Sequence, residues 1–427
     1  MNKESTAVDL AQQAAAGDNF TAAYDIERIR ADFPILKQKV YGKPLVYLDN
    51  GASAQKPRQV LDAMNEAYET YYSNVHRGVH WTSQTSTEAF EGSRKKVAAF
   101  LNAVSENEII FTRGATEAIN LVAASWGGAN LNPGDEVILS HMEHHSNIVP
   151  WQILRQQKGI ELKIVPIDDD GNFLFDEYQK MLSEKTKMVA VTHVSNALGT
   201  IVPVVDVIRL AHDKGALVLL DGCQAVPHMA VDVQALDADF YVFSGHKLYG
   251  PTAIGVLWAR EDLLNAMPPY QSGGDMISSV TFEKTTFKKS PHRFEAGTPA
   301  ITEAIGLGAA IDYVGAVGLG SISAHEQGVL QYASERLQAV EGLRIIGQAR
   351  EKASIISFVI DGIHAHDLGT FVDRAGVAVR VGHHCAQPVM ERYGIAATAR
   401  ASFGLYNTRE EVDVLTDALN QAKEFFG

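Results

Sequence analysis

A lysine that closely follows a predicted buried strand is a candidate nucleophile in this chain. Residues 240–243, FYVF, form an apolar, β-prone run typical of a buried strand, and Lys247 comes after Ser244, Gly245 and His246. A lysine amine becomes a usable nucleophile when desolvation or a nearby cation lowers its pKa, and it can then form a Schiff base with an aldehyde such as pyridoxal phosphate (PLP). The alternative for Lys247 alone is a side chain that extends from the strand end into solvent, so further residues must decide.

PLP needs an amine for its aldehyde, an anion for its pyridine nitrogen, a face for its ring and donors for its phosphate. Asp221 follows the apolar run ALVLL and is a candidate for the pyridinium partner, because a carboxylate there needs pairing. His144, in the segment MEHHSN, is a candidate for stacking on the ring. A turn ending at Thr116 opens a predicted helix whose N-terminus favours phosphate, and Ser244 and His246 could complete that site.

Each of these signals has a plainer alternative when it is taken alone. Asp221 could cap the next segment, and a lone histidine such as His144 is more often structural. Gln224 and Asn196 are weaker candidates for contacts with the phenolic oxygen of the ring, because such residues usually form turns. The recurrence of these groups at the ends of several predicted strands favours a shared cofactor site.

The loop RVGHHCAQP, residues 380–388, carries a second reactive group. Cys385 lies beside His383 and His384, and a thiol next to imidazoles in a polar loop can ionise and attack. Metal binding by this cluster is less favoured, because adjacent side chains diverge and no second cluster is spaced to complete a tetrahedral site, so no metal is predicted. Cys223 is interpreted as small core filling without a catalytic role. Arg400, in TARASF, could bind an amino acid's carboxylate, although a surface salt bridge is the commoner fate of an arginine.

Short apolar strands alternate with helical patterns up to about residue 300, which predicts a mostly parallel sheet covered on both faces. Ligands of such sheets bind beyond the carboxyl ends of the strands, where the candidate residues fall. We predict a flexible tail at 1–24, a large PLP-binding domain at 25–300 and a smaller α+β domain at 301–427 that carries the cysteine loop. Within the last region we expect a helical stretch at 301–340, strands at 355–360 and 377–381, and a final helix capped by Thr408 with Glu411.

Composition narrows the possible partners and the compartment. The chain has 427 residues and a formal net charge of -14, which disfavours nucleic acid and anionic membranes as partners. Its two cysteines imply no disulfide framework and fit a reducing cytosol. The first residues contain no continuous apolar core typical of a signal peptide, and no apolar run approaches the ~18 residues of a membrane span. We therefore expect a cytoplasmic protein.

Six segments together resemble the Suf-type (group II) cysteine desulfurases, which are fold-type I PLP enzymes related to the class V aminotransferases. They read SGHKLYGP, DGCQAV, MEHHSNIVPW, THVSNALGT, RFEAGTP and RVGHHCA. The resemblance extends from about residue 30 to the end of the chain. It implies an α/β fold, with a mostly parallel, seven-stranded-type sheet covered by helices in the large domain and a smaller α+β C-terminal domain.

The resemblance also implies roles for the candidate residues. Lys247 would carry PLP, Asp221 and His144 would contact its ring, and Cys385 would be the nucleophile. Binding roles would fall to Thr116, Ser244 and His246 for the phosphate, Asn196 and Gln224 for the ring oxygen, Arg400, Arg380 and Asn196 for the substrate, and Thr298 for the phosphate of the neighbouring subunit of a homodimer. The one departure is Cys223, where the family pattern predicts a small residue such as alanine.

The activity implied by the resemblance is conversion of L-cysteine to L-alanine. The sulfur would remain as a persulfide on Cys385 and pass to an acceptor protein of the Suf system for iron–sulfur cluster assembly. Selenocysteine and cysteine sulfinate are related substrates to consider. Two alternatives stay open: an aminotransferase or lyase that needs Lys247 but no thiol, and a sulfur carrier or scaffold that has lost PLP chemistry.

Overall fold

The structure is a computed structural model that describes residues 24–426. Its strands are Lys39–Val40 (β1), Lys43–Pro44 (β2), Val46–Tyr47 (β3), Ile109–Thr112 (β4), Glu136–Ser140 (β5), Glu161–Val165 (β6), Thr186–Thr192 (β7), Leu217–Asp221 (β8), Phe240–Ser244 (β9), Gly255–Ala259 (β10), Ile277–Val280 (β11), Thr285–Phe287 (β12), Leu343–Ile346 (β13), Ile355–Ile360 (β14), Val377–Ala378 (β15), Arg380–Gly382 (β16) and Thr398–Ser402 (β17).

The α-helices are numbered in the same way. They are Ile26–Ala31 (α1), Arg58–Glu66 (α2), Trp81–Phe100 (α3), Ala115–Val122 (α4), Gly128–Asn130 (α5), Val149–Lys158 (α6), Phe175–Met181 (α7), Val204–His212 (α8), Val233–Leu236 (α9), Glu261–Ala266 (α10), Ile301–Val317 (α11), Leu319–Gln338 (α12), Ala365–Arg374 (α13), Gln387–Arg392 (α14) and Arg409–Phe426 (α15).

A seven-stranded sheet in the order β4-β10-β9-β8-β7-β5-β6 forms the centre of the larger part of the molecule. Strand β10 runs antiparallel to both of its neighbours, and the other strands run parallel to one another. The carboxyl ends of β4, β5, β7, β8 and β9 therefore meet at one edge. The predicted α/β fold with a mostly parallel, seven-stranded sheet is confirmed.

Both faces of this sheet are buried, because side chains that alternate along each strand enter two different apolar cores. Leu220 and Phe243 enter one core together with helix α8, whereas Leu219 and Val242 enter the other together with helices α4 and α6. Strand β6 lies at the sheet edge, and its exposed residues include Glu161. Charged residues are common on edge strands, and they concealed β6 from the sequence analysis.

The C-terminal part contains a second sheet, antiparallel, in the order β13-β14-β17-β16. The single strand predicted at 377–381 is wrong, because the chain changes sheets within it. Strand β15 pairs with β3 in parallel, and β16 pairs with β17 in the second sheet. Leu48, next to β3, packs in the same apolar core as Phe358 and Leu415, so residues from before the large sheet help to cover the second one.

The helical stretch predicted at 301–340 is two helices, α11 and α12, separated by Gly318 and bent by 75°. Within residues 24–426 no single helix is long and apolar enough to cross a membrane, and this bent pair passes such a test only by length and composition. Helix α11 packs against α2 and α3.

The domain boundary at residue 300 stays a prediction, and the predicted tail lies outside the described residues except for Tyr24.

Local signals mark two helix starts. Pro57 directly precedes α2. Before α15, the Thr408 N–H donates to Glu411 Oε2 at 3.1 Å, and the Glu411 N–H donates to Thr408 Oγ1 at 3.4 Å. This reciprocal pair is the predicted capping box.

We predict that Gly255→Ala destabilises the sheet edge that carries the strand ends. A Cβ atom at Gly255 would lie 2.4 Å from the Gly114 Cα atom, so β10 and the turn after β4 would have to separate. The free energy of unfolding, measured by urea denaturation, should fall by about 1–3 kcal/mol. Gly315→Ala in α11 is the matched control, since a Cβ atom there meets nothing within 4 Å. Equal stability of the two variants would contradict this packing.

Candidate active site

A cavity of about 150 Å³ opens at the edge where the parallel strands end. Side chains that follow five different strands of the large sheet line it. The cavity-lining residues that were predicted from the sequence are Thr116, His144, Asn196, Asp221, Ser244, His246, Lys247, Arg380, Cys385 and Arg400. The last three come from the C-terminal part, so the two sheets contribute to one cavity.

Lys247 lies in a 3-10 turn, Gly245–Lys247, directly after β9. The backbone of this turn is tied to the segment before α2. The carbonyl oxygen of His246 accepts hydrogen bonds from the Ala54 N–H at 3.0 Å and from Lys56 Nζ at 3.2 Å. Burial, Lys247 and Lys56 lower the pKa of the His246 imidazole to about 4, so this ring is neutral near neutral pH. The turn thus presents the lysine amine from a fixed backbone.

Asp221 is the last residue of β8, and its carboxylate is held by its own turn. Its Oδ1 atom accepts the Cys223 N–H at 3.0 Å. The next residue must be glycine, because a Cβ atom at Gly222 would lie 2.1 Å from the Tyr241 ring. The Tyr241 hydroxyl is hydrogen-bonded to His193 Nδ1 at 3.1 Å, and burial lowers the pKa of His193 to about 4. The turn that holds the Asp221 carboxylate therefore packs against Tyr241, whose hydrogen-bond partner His193 is neutral.

His144 lies in the loop after β5 and is held through Nδ1. Ser146 contacts this nitrogen with its N–H at 3.1 Å and with its hydroxyl at 2.8 Å. Burial and the nearby Lys247 lower the pKa of His144 to about 4, so its ring is uncharged near neutral pH. A neutral aromatic ring is suited to stacking on another ring.

Glu143, beside His144, is fully buried and was missed by the sequence analysis. Its carboxyl accepts hydrogen bonds from the Ser140 hydroxyl at 2.5 Å, the Asn147 amide at 2.7 Å and the Thr192 N–H at 3.0 Å. Burial raises its pKa to about 7. The group joins the ends of β5 and β7 beneath the histidine. Its position in the loop that follows an apolar strand, next to His144, was the only available signal.

Helix α4 begins at the cavity, and Ala115 and Thr116 in its first turn line the wall. The Ala115 N–H donates to Ser244 Oγ at 2.9 Å, which joins the helix start to the end of β9. The N-terminus of a helix attracts anions through free N–H groups and the helix dipole. This wall therefore suits a phosphate group.

Two arginines face the cavity from the second sheet. Arg380 and Arg400 are direct cross-strand partners on β16 and β17, so two like charges lie side by side. Arg400 is buried, donates to the Asn196 carbonyl at 2.8 Å and to Asp49 Oδ1 at 3.2 Å, and has no hydrogen-bond partner for Nε within the described residues. Burial lowers its pKa to about 10, which leaves it cationic near neutral pH. The pair favours an anionic ligand.

Cys385 is presented by a strained loop. It has a φ of +55° and His384 has a φ of +53°, values that are costly for residues with side chains. The carbonyl of Cys385 accepts the His145 N–H at 2.7 Å, which ties the loop to the His144 segment. The sulfur lies 4.0 Å from Arg380 Nη2. The guanidinium of Arg380 is thus placed to donate a hydrogen bond to the sulfur.

The expectation that neighbouring imidazoles assist the thiol needs correction. His384 lines the cavity, and its Nε2 atom is hydrogen-bonded to Thr398 Oγ1 at 2.7 Å. Burial and the two arginines lower its pKa to about 2, so it carries no charge that could favour a thiolate. His383 is exposed. Across residues 24–426, Arg380 is the one hydrogen-bond partner recorded for the sulfur.

These groups fit PLP, because the amine of Lys247, the carboxylate of Asp221, the neutral ring of His144 and an anion-binding helix start line one cavity. The profile of the family described as aminotransferase class-V matches residues 46–415. A probable cysteine desulfurase of Streptomyces coelicolor is 52% identical over 410 residues, which cover 94% of this chain and 98% of that protein. The chain belongs to the cysteine desulfurases of the class V aminotransferase family.

Two further comparisons agree with this membership. A cysteine desulfurase of Synechococcus elongatus is 52% identical over 398 residues, which are 93% of this chain but only 64% of that longer protein. A crystal structure of a cysteine desulfurase from Escherichia coli, with an S-sulfonic acid, superposes with a TM-score of 0.89 at 37% identity, covering 95% of this chain and 100% of that one. The expected cysteine desulfurase family and the expected fold are confirmed, the Suf-type subgroup stays a prediction, and PLP is the cofactor of this family.

Two predicted binding residues of this desulfurase family member lie outside the cavity wall. Gln224 is buried and donates to the Gly51 carbonyl at 2.7 Å. Thr298 is exposed. The roles of both residues stay predictions. Gly51 itself lines the cavity and was missed, although its position in a polar turn after β3 was a signal.

Cys223 also lines the cavity, which corrects its interpretation as core filling alone. Its Sγ atom lies 3.8 Å from Ser244 Oγ. Burial and the Asp221 carboxylate raise its pKa to about 12. Over the described range no group of three or more His, Cys, Asp or Glu side chains is placed to hold a metal ion.

We predict that His193 makes the stability of this desulfurase family member fall in acid. In the folded state its pKa is about 4, whereas an unfolded histidine titrates near pH 6.5. Between about pH 6.5 and pH 4, His193 is therefore protonated in the unfolded chain but not in the folded protein. The free energy of unfolding falls as the pH drops through this range. By pH 4 the loss from this residue should reach roughly 3 kcal/mol.

Urea denaturation of wild type and His193→Asn between pH 7.5 and 4 tests this. The difference in stability between the two proteins should narrow toward acid, because the variant lacks the titrating ring. His366→Asn, at an exposed position, is the control and should follow the wild-type curve. Parallel curves for wild type and His193→Asn would contradict the prediction.

Proposed function

We propose that this protein is a PLP-dependent cysteine desulfurase, which converts L-cysteine to L-alanine and keeps the sulfur as a persulfide on Cys385. The observation that carries this proposal is the Cys385 thiol in the same cavity as the Lys247 amine and two arginines. An amine and a carboxylate would serve many PLP reactions, whereas a thiol beside them serves sulfur transfer. The family membership supports the same activity.

When bound, PLP supplies an aldehyde that takes up the amine of an amino acid and a ring that withdraws electrons from it. We assign Lys247 to holding the cofactor and to moving the substrate's α-proton once its amine is free. Asp221 would hold the pyridine nitrogen protonated, and His144 would lie against the ring. The remaining cofactor contacts are assigned to Thr116, Ser244, His246, Asn196, Gln224 and, from the neighbouring subunit, Thr298.

Arg400 is assigned to the substrate carboxylate. Its buried Nε has no protein partner among the described residues, whereas Nη2 forms an ion pair with Asp49 Oδ1 at 3.2 Å. A carboxylate would satisfy the guanidinium and relieve its repulsion with Arg380. We place Arg380 and Asn196 on the substrate side as well.

The sulfur step needs no external oxidant. The Cys385 thiolate attacks the sulfur of the substrate, so that an S–S bond forms while the substrate's C–S bond breaks. The electron pair of the C–S bond stays with the carbon skeleton, which is protonated and leaves as alanine. The persulfide on Cys385 then holds the transferred sulfur, and Arg380 is placed to stabilise the sulfur anion before the attack.

We also propose that the persulfide sulfur passes to an acceptor protein of the Suf system for iron–sulfur cluster assembly, with selenocysteine as a further substrate. A reducing cytoplasm is the proposed location. Both cysteines are free thiols in the structure, which fits that compartment.

We predict that Cys385→Ser loses sulfide and alanine release from L-cysteine by at least about 100-fold, because a serine hydroxyl replaces the sulfur nucleophile. The variant should keep the visible absorbance of bound PLP, whereas Lys247→Ala should lose the adduct that borohydride reduces. Assays with reductant present measure both products. Wild-type turnover by Cys385→Ser would overturn the assignment, and 2-oxo-acid-dependent amino transfer that survives in this variant would favour the aminotransferase alternative.

We predict that a homodimer shares Thr298 between subunits. Thr298→Ala should weaken PLP binding about tenfold through the loss of one charge-assisted hydrogen bond. A mixed dimer of one Lys247→Ala chain and one Thr298→Ala chain then contains one site with an intact lysine and an intact partner threonine. Titration of that purified mixed dimer should return wild-type PLP affinity at one site. Affinity as weak as that of the Thr298→Ala homodimer would place Thr298 in its own subunit's site.

A further inference from the structure

Cys223 holds an unusual position for a thiol that takes no part in the sulfur step. It lies in the turn after β8, is 6% exposed and lines the cavity beside Asp221. Its Sγ atom faces Ser244 Oγ at 3.8 Å. The two residues belong to the ends of neighbouring parallel strands, so the contact joins β8 to β9 at the cavity wall.

The thiol is a donor in this contact. Burial raises the pKa of Cys223 to about 12, and the adjacent Asp221 carboxylate acts in the same direction. The S–H group therefore keeps its hydrogen near neutral pH and can donate it, although weakly. The same protonation makes Cys223 a poor nucleophile, which separates its role from that of Cys385.

Ser244 then has both of its acceptor positions in use. A serine hydroxyl offers two lone pairs and one hydrogen. One lone pair accepts the Ala115 N–H at 2.9 Å, and the other accepts the Cys223 thiol. No acceptor for the Ser244 hydroxyl hydrogen is recorded among residues 24–426, and the cavity borders this residue. The hydrogen is thus left to point into the cavity.

We infer that Cys223 is a positioning residue that orients the Ser244 hydroxyl toward the phosphate of the cofactor. Ala115 and Thr116, at the start of α4, line the same wall and favour an anion there. A hydroxyl whose hydrogen already points at the phosphate binds it without first breaking another hydrogen bond. This inference depends on PLP as the cofactor and is independent of the proposed reaction with L-cysteine.

Binding of two ligands to the apo-protein tests the inference. We expect Cys223→Ala to lower the affinity for PLP about threefold, as suits a weak hydrogen bond, and to leave the affinity for pyridoxal, which lacks the phosphate, unchanged. Equilibrium titrations followed by visible absorbance measure both constants. An equal loss for both ligands would overturn the inference, because the effect of the thiol would then not depend on the phosphate. An unchanged affinity for PLP would overturn it too.

A double-mutant cycle separates positioning from a general loss of packing. In the Ser244→Ala background, Cys223→Ala should have no further effect on the ratio of PLP to pyridoxal affinity, because the hydroxyl it orients is absent. Additive losses would overturn the inference. Melting temperatures of the four proteins identify any general destabilisation, which would lower both affinities together and leave their ratio unchanged. None of these readouts requires turnover of L-cysteine, so failure of the proposed activity would be seen separately.

Discussion

Parallel pairing of β7, β8 and β9 is the interaction on which the site depends. The register places Asp221 opposite Thr192 on one side and opposite Val242 on the other. Because Lys247 follows β9 after one short turn, the same register brings its amine to the edge where Asp221 ends β8. A slip of one residue would turn Asp221 to the other face of the sheet and separate the pair.

The second constraint is the burial of polar groups that are only partly satisfied. Buried charge is costly unless it is paired, and a buried polar group without a partner is costly as well. The histidines around the cavity avoid the first cost by staying neutral, as the lowered pKa of His144 illustrates. Arg400 retains its charge, and its Nε has no hydrogen-bond partner within the described structure. This unpaired donor lies where we place the substrate.

The cysteine loop shows how the C-terminal part acts on the large sheet. The Cys385 carbonyl accepts the His145 N–H, and the His384 carbonyl accepts the Asn196 amide at 2.6 Å. These bonds hold two residues with positive φ in place, and they connect the loop to the ends of β5 and β7. The thiol therefore has a defined position relative to the Lys247 turn, which the proposed transfer of sulfur from a substrate to Cys385 requires.

The sequence by itself determined the mostly parallel sheet, the polar residues that follow its strands and the family, because apolar runs, helix signals and short motifs are local features. Only the tertiary structure decided that Cys223 lines the cavity, that His384 is hydrogen-bonded to Thr398, that Glu143 joins two strand ends and that residues 377–382 divide between two sheets. Each of these depends on contacts between segments far apart in the chain. Local patterns report whether a residue is buried, but strand register and packing decide which partner it meets.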